Sequence, residues 1–122
     1  MPKTIMVVDD EPHLVELVSA ILEQEGYNVV TAENGQEALK KLETVTPDLI
    51  LLDMMMPGMS GREVCERMRK NPKTANIKVA FLTVAQFSEV GKNVLKELKV
   101  ADYITKPFTN MDLVKRVKDL LS

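Results

Sequence analysis

Several residues of this chain are of types that do chemistry, and each falls at the end of a short apolar run. Asp9, Asp10 and Glu11 follow the first such run, and Asp53 closes another. Thr83 ends a third, and Lys106 follows a fourth, immediately before Pro107. Carboxylates gathered in one place repel one another, and burial raises their pKa values unless a cation offsets the charge. Hard oxygen donors of this kind suit Mg²⁺, which takes a few carboxylates and retains waters. A carboxylate at such a site can act as a nucleophile and form an aspartyl phosphate. Mg²⁺ and Lys106 would stabilise charge on a transferred phosphoryl group, and Thr83 would hydrogen-bond one of its oxygens.

These residues are far apart in sequence, so the fold must gather them. Short apolar runs alternate with longer amphipathic ones, five times over. The strand-like runs are Ile5 to Val8, Asn28 to Thr31, Leu49 to Leu52, Val79 to Thr83 and Tyr103 to Thr105. Leu49-Ile50-Leu51-Leu52 is apolar throughout, as a central parallel strand covered on both faces must be. The second run is more mixed and suits an edge.

The helical segments have their own punctuation. From His13 to Glu25, Leu14, Leu17, Val18, Ile21 and Leu22 recur on one face, and Gly26 supplies a stop. Asn34 caps a helix carrying Ala38, Leu39 and Leu42. Ser60 and Glu63 make a capping box for a third, which runs through Arg69. Phe87, Val90, Val94 and Leu98 line a fourth. Thr109 or Asn110 opens a fifth, with Leu113, Val114, Val117, Leu120 and Leu121 turned inward.

This alternation implies right-handed crossovers and an open, doubly wound α/β fold with helices on both faces of a parallel sheet. Ligands then bind beyond the carboxyl ends of the strands, at the switch point in strand order. Asp9, Asp10, Asp53, Thr83 and Lys106 all fall at that edge. The chain has 122 residues, 45% hydrophobic and 28% charged, which bounds it to one globular domain over residues 1–122. A net charge of −2 leaves no electrostatic footprint for direct nucleic-acid binding. No run approaches the ~20 apolar residues that span a bilayer, and the N-terminus lacks the pattern of a signal peptide. The single Cys65 excludes an internal disulfide and fits a cytoplasmic location. There is no internal repeat or low-complexity tract.

Taken together, Asp9-Asp10-Glu11, the stretch from Leu51 through Asp53 and Pro57-Gly58 to Gly61, Phe81-Leu82-Thr83, and Asp102-Tyr103-Ile104-Thr105-Lys106-Pro107-Phe108 resemble the signature blocks of response-regulator receiver domains. The likeness is to two-component signalling proteins of the chemotaxis-regulator kind, and it covers essentially the whole chain. It implies a flavodoxin-like fold of five strands and five helices, in strand order 2-1-3-4-5. It implies that Asp53 accepts a phosphoryl group from a phosphohistidine on a histidine kinase or phosphotransfer protein. Asp10, Asp53 and the backbone carbonyl of Met55 would ligate Mg²⁺, with Asp9 acting through water. Thr83 and Tyr103 would switch together, altering the face made by the fourth helical segment, the fifth strand and the fifth helical segment. That face would control an effector the sequence does not identify, with the chain a monomer or a phosphorylation-dependent dimer. Catalysis would be confined to its own phosphorylation and dephosphorylation, and Lys106-Pro107 resembles the family's cis peptide.

Departures from the family pattern carry expectations of their own. Val84 stands where Ala or Gly is usual and would narrow access to Asp53. Met55 and Ala85 replace polar groups that position a hydrolytic water elsewhere, and neither can make a strong side-chain hydrogen bond. Slow spontaneous dephosphorylation is the expectation. Lys99-Val100-Ala101-Asp102 lacks the usual Gly, so the turn before the fifth strand should end differently. Met54, Met55, Met56 and Met59 read as core and loop packing, His13 as an exposed first-turn residue, Cys65 as structural, and Lys115, Arg116 and Lys118 as a solvated face.

Three other readings compete. A phosphatase using an aspartyl phosphate typically pairs the nucleophile with a second Asp two residues on, where this chain has Met55. A flavodoxin-like carrier needs a phosphate-cradling loop after the first strand, where this chain has acids. A receiver-fold interaction module that is never phosphorylated remains the third.

Overall fold

The run beginning at Leu49 forms β3 (Leu49–Asp53), and all of its positions are buried. Consecutive apolar residues have this outcome only where a strand is covered on both faces. The structure, a computed structural model, describes residues 2–84, 93 and 96–122. β1 (Thr4–Val8) and β4 (Lys78–Thr83) flank β3, with β2 (Asn28–Ala32) and β5 (Asp102–Thr105) at the edges. Every pairing is parallel, in the expected order β2-β1-β3-β4-β5. Each strand is a single residue longer than its apolar run, because the ladder takes in one flanking residue.

The described helices are α1 (Pro12–Gln24), α2 (Gly35–Lys41), α3 (Gly61–Lys70) and α4 (Asn110–Leu121). The fifth expected helical segment is therefore α4. The fourth, Phe87 to Leu98, lies outside the described residues apart from positions 93 and 96–98, of which Leu98 packs against the core.

Strand side chains alternate between faces, and the core divides accordingly. Met6, Val8, Ile50, Leu52, Val79 and Phe81 pack with Ala38, Val64, Cys65 and Met68 from α2 and α3. Ile5, Val7, Leu49, Leu51, Ala80, Leu82 and Ile104 pack with Val18, Leu22, Leu113 and Val117 from α1 and α4. A fully buried aliphatic side chain such as Ile50 contributes about 1.5–3 kcal/mol. Met56 is buried, and Met54 and Met59 pack against the first group, as expected of gap-filling methionines. Cys65 is a buried free thiol whose pKa burial raises, consistent with a structural role. His13 is exposed.

Helix starts follow the capping residues. The side chains of Asn34, Ser60 and Thr109 accept from the amides of Glu37, Glu63 and Asp112. Pro12 opens α1, where Glu11 gives no side-chain cap. Gly26 follows the end of α1 with φ of 93°, a left-handed conformation that suits glycine.

Some expectations need correction. Leu17 is 50% exposed. At about 100° per residue it lies far round the helix from Val18 and Leu22, so it falls at the margin of the apolar stripe. Arg116 is more than solvated surface: Nη1 lies 3.0 Å from Asp102 Oδ2 and Nε 3.2 Å from Asp112 Oδ2. Those carboxylates raise the guanidinium pKa, the Asp102 hydrogen bond most. Lys118 pairs with Glu25 at 3.1 Å, while Lys115 is exposed. The turn before β5 does stop differently. Lys99 itself takes the left-handed conformation, with φ of 57°, and its amide donates to the Lys96 carbonyl at 3.0 Å.

Candidate functional site: an acidic pocket at the carboxyl edge of the sheet

Register brings the site together. Val8 is paired with Leu52 and Asp53 with Leu82, so Asp9, Asp53 and Thr83 end adjacent strands at nearly one level. Thr83 is paired with Thr105, which puts Lys106 next beyond it, and the Lys106 amide donates to the Thr83 carbonyl at 2.7 Å. The Lys106–Pro107 peptide bond is cis.

Asp9 is 1% exposed, Asp53 5% and Thr83 fully buried, whereas Asp10 is open to solvent. One carboxylate oxygen from each of Asp9, Asp10 and Asp53 lies within 4.8 Å of the other two. Lys106 Nζ sits 2.8 Å from Asp9 Oδ2 and 3.6 Å from Asp53 Oδ1. The Glu11 amide donates to Asp9 Oδ1 at 3.0 Å, and the Met55 amide to Asp53 Oδ1 at 3.2 Å. Glu11 thus contributes its backbone N–H, and its carboxylate is outside the cluster.

Burial pushes the Asp53 carboxyl up to about 6, and Asp9 and Asp10 add to the rise. The Met55 amide and the Lys106 ammonium act against it without cancelling it. Among the described residues, one ammonium faces three carboxylates, which leaves negative charge unanswered. A set of hard oxygen donors within a few ångströms, short of positive charge, fits Mg²⁺. No sulfur or imidazole accompanies them in the described cluster.

Gly61 shapes the pocket, and its role was not evident from its place in the sequence. Its amide donates to the Met54 carbonyl at 3.0 Å, and a Cβ there would come within 2.3 Å of the Asp53 carbonyl oxygen. α3 therefore begins directly against the backbone of Asp53. Its place at the end of a signature block and beside the Ser60 cap marks the residue but not this reason. Of the positions expected to tune the site, Met55 and Val84 are 65% and 68% exposed, and Ala85 lies outside the described residues.

Tyr103 is partly exposed and pairs in register with Phe81. Phe81 and Thr83 share a face of β4 by alternation, so Tyr103 and Thr83 lie on the same side of the β4–β5 ladder.

This arrangement has counterparts in known proteins. The chain is 45% identical over 121 residues to the alkaline phosphatase synthesis transcriptional regulatory protein PhoP of Bacillus subtilis, covering 99% of this chain and 49% of that protein. It is 43% identical over 119 residues to the phosphate regulon transcriptional regulatory protein PhoB of Pseudomonas aeruginosa, covering 98% and 52%. The chain thus spans about half the length of these curated relatives. Among solved structures, the chemotaxis protein CheY4 of Vibrio cholerae superposes with a TM-score of 0.92 at 30% identity, covering 99% of this chain and all of that one. The response regulator TrrA of Thermotoga maritima, solved in complex with Mg²⁺-BeF, gives 0.83 at 42% identity, covering 98% and 99%. Residues 5–118 match the model of the family described as the response regulator receiver domain. With fold, order of blocks and extent of match in agreement, the chain belongs to the receiver-domain family of two-component response regulators.

Proposed function

We propose that this domain is a phosphorylation-controlled switch in which Asp53 is the phosphoacceptor and a histidine kinase or phosphotransfer protein the donor. What carries the reading is one constellation: three carboxylates within 4.8 Å, with the Lys106 ammonium 2.8 Å from Asp9 and 3.6 Å from Asp53. Asp10, Asp53 and the Met55 carbonyl would hold Mg²⁺, with Asp9 acting through water. The ion would supply positive charge for the phosphoryl oxygens.

The chain's own residues account for the rest. With a pKa of about 6, Asp53 is mostly ionised at neutral pH and able to act as a nucleophile. A carboxylate oxygen attacks phosphorus, the O–P bond forms, the P–N bond to the donor imidazole breaks, and the electron pair leaves with that nitrogen. Lys106 pairs with the transferred group, and the Thr83 hydroxyl donates to one of its oxygens. Hydrolysis later returns Asp53 to the carboxylate, so turnover is confined to the domain's own modification.

Output is a population shift. The phosphoryl group favours whichever arrangement of Thr83 and Tyr103 it contacts better. Reversing a 1:99 equilibrium to 99:1 requires about 5.5 kcal/mol of differential stabilisation. A group carrying about −1.5 to −2 charge, meeting Lys106 and Mg²⁺, is a sufficient source. The altered face would include β5 and α4, and it would engage an effector.

Incubation with Mg²⁺ and acetyl phosphate tests the reading. A gain of about 80 Da, the mass of one HPO₃ group, is expected in the wild type and not in Asp53→Ala. A gain that survives in Asp53→Ala places the acceptor elsewhere and ends the proposal.

A further inference from the structure

Arg69, near the end of α3, reaches two separate chain segments through one guanidinium. Nη1 donates to the carbonyls of Ala75 at 3.1 Å and Ile77 at 2.8 Å, the latter immediately before β4. Nε donates to the Leu98 carbonyl at 2.7 Å and Nη2, more weakly, to that of Lys99 at 3.4 Å. Those two residues form the turn that leads into β5. The chain then pairs at once with β4, as the Ala101 amide donates to the Val79 carbonyl at 2.8 Å.

The second segment needs holding. Lys99 occupies the left-handed region, φ 57°, where a side chain crowds the following carbonyl and glycine is the usual occupant. Left to itself, such a turn has other conformations open to it. A planar fork with several fixed donors suits two neighbouring carbonyls, and a lysine ammonium would not reproduce it.

We propose that Arg69 is a positioning residue for signal output, a clamp that joins the start of β4 to the left-handed turn before β5. Through it, the strand bearing Thr83 and the strand bearing Tyr103 share one anchor at the edge of the sheet opposite the acidic pocket. A change imposed at Thr83 is then transmitted to Tyr103, because the two strands cannot slip independently at their starts. This role rests on the phosphorylation reading above and adds to it the residue that couples modification to the output face.

The test follows the Tyr103 backbone amide resonance on addition of acetyl phosphate and Mg²⁺, with the mass gain read in parallel. In Arg69→Gln, the 80 Da gain should persist while the Tyr103 shift falls at least twofold. Adding Lys99→Gly to that variant should restore the shift, since glycine holds the left-handed turn without a clamp. Thr74→Val removes a different hydrogen bond of the same connection, from Thr74 Oγ1 to the Met68 carbonyl at 2.8 Å, and should leave the shift intact. A full Tyr103 shift in Arg69→Gln, no recovery in the double variant, or an equal loss in Thr74→Val each overturns the clamp alone. Absence of the mass gain in the wild type overturns the phosphorylation reading and the clamp with it.

Discussion

Lys106 stands closer to Asp9 than to Asp53, at 2.8 Å against 3.6 Å, so its ammonium is directed mainly at the residue that is not the proposed acceptor. Burial, with Asp9 and Asp10 beside it, holds the Asp53 carboxyl up at about 6. The proposed nucleophile is held in an environment that disfavours its charge until a cation arrives.

Stability in metal-free buffer should therefore depend on pH in a definite direction. The folded-state pKa of Asp53 is raised above the ordinary 3.8, so between these values the folded chain holds a proton that the unfolded chain has released. Stability contributed by this group is greatest below about 4 and declines as pH rises to about 6. Asp53→Asn keeps an acceptor for the Met55 amide and removes the penalty. It should stabilise the fold by about 1–3 kcal/mol at pH 7.5, with the gain vanishing near pH 4. Urea titrations at the two pH values check this, and a variant less stable than wild type at pH 7.5 contradicts it.

Mg²⁺ should narrow that difference. An ion bound only by the folded state adds about 1.4 kcal/mol at ten times its dissociation constant, which for a domain of this size raises the melting temperature by several degrees. The increment should be smaller at pH 5, where protons compete for Asp53, and lost in Asp10→Asn. Thermal melts with and without Mg²⁺ provide the measurement. An equal rise in wild type and Asp10→Asn would place the ion outside this pocket.

Gly61→Ala should damage stability and chemistry together. The new Cβ would sit 2.3 Å from the Asp53 carbonyl oxygen, and backbone has to move to relieve it. A loss of about 1–3 kcal/mol is expected, in the range of overpacked cores. The initial rate of the 80 Da gain from acetyl phosphate should fall as well. Wild-type values for both would show that the α3–Asp53 contact is looser than drawn.

The phosphorylated form should be long-lived. Met55 offers no strong side-chain hydrogen bond to a hydrolytic water, and it is 65% exposed at the site. Met55→Asn should shorten the lifetime roughly tenfold, the equivalent of about one hydrogen bond or 1.4 kcal/mol. Following loss of the added mass by time-resolved spectrometry decides it; a wild-type half-life of seconds speaks against the expectation.

Much of this was legible in residue order. Leu49-Ile50-Leu51-Leu52 marked the central strand because period-two alternation vanishes when both faces are covered. Asn34, Ser60 and the pair Thr109-Asn110 marked helix starts, and the side chains of Asn34, Ser60 and Thr109 satisfy amides there. The acids and Lys106 followed from where strands end in an open α/β sheet. Other features depend on distances between remote segments. Apolar spacing alone puts Leu17 inward, because spacing does not show where a stripe stops. Arg69 read as the end of a helix, since the carbonyls it reaches, at Leu98 and Lys99, are 29 and 30 positions away. Gly61 was visible as a residue, but its reason is the backbone of Asp53. The partners of Arg116 were hidden for the same cause: Asp112 is one helical turn away, but Asp102 comes from β5.

The shared side of Thr83 and Tyr103 bears on what kinds of change the domain can absorb. Alternation is a matter of counting, so deleting one residue between Val79 and Thr83 would turn the hydroxyl to the far side of the sheet while every other residue kept its identity. Substitutions can be graded; an odd-numbered change of strand length cannot. Within β4 and β5, then, arithmetic limits variation before chemistry does, and spare length must be carried by the connections between elements.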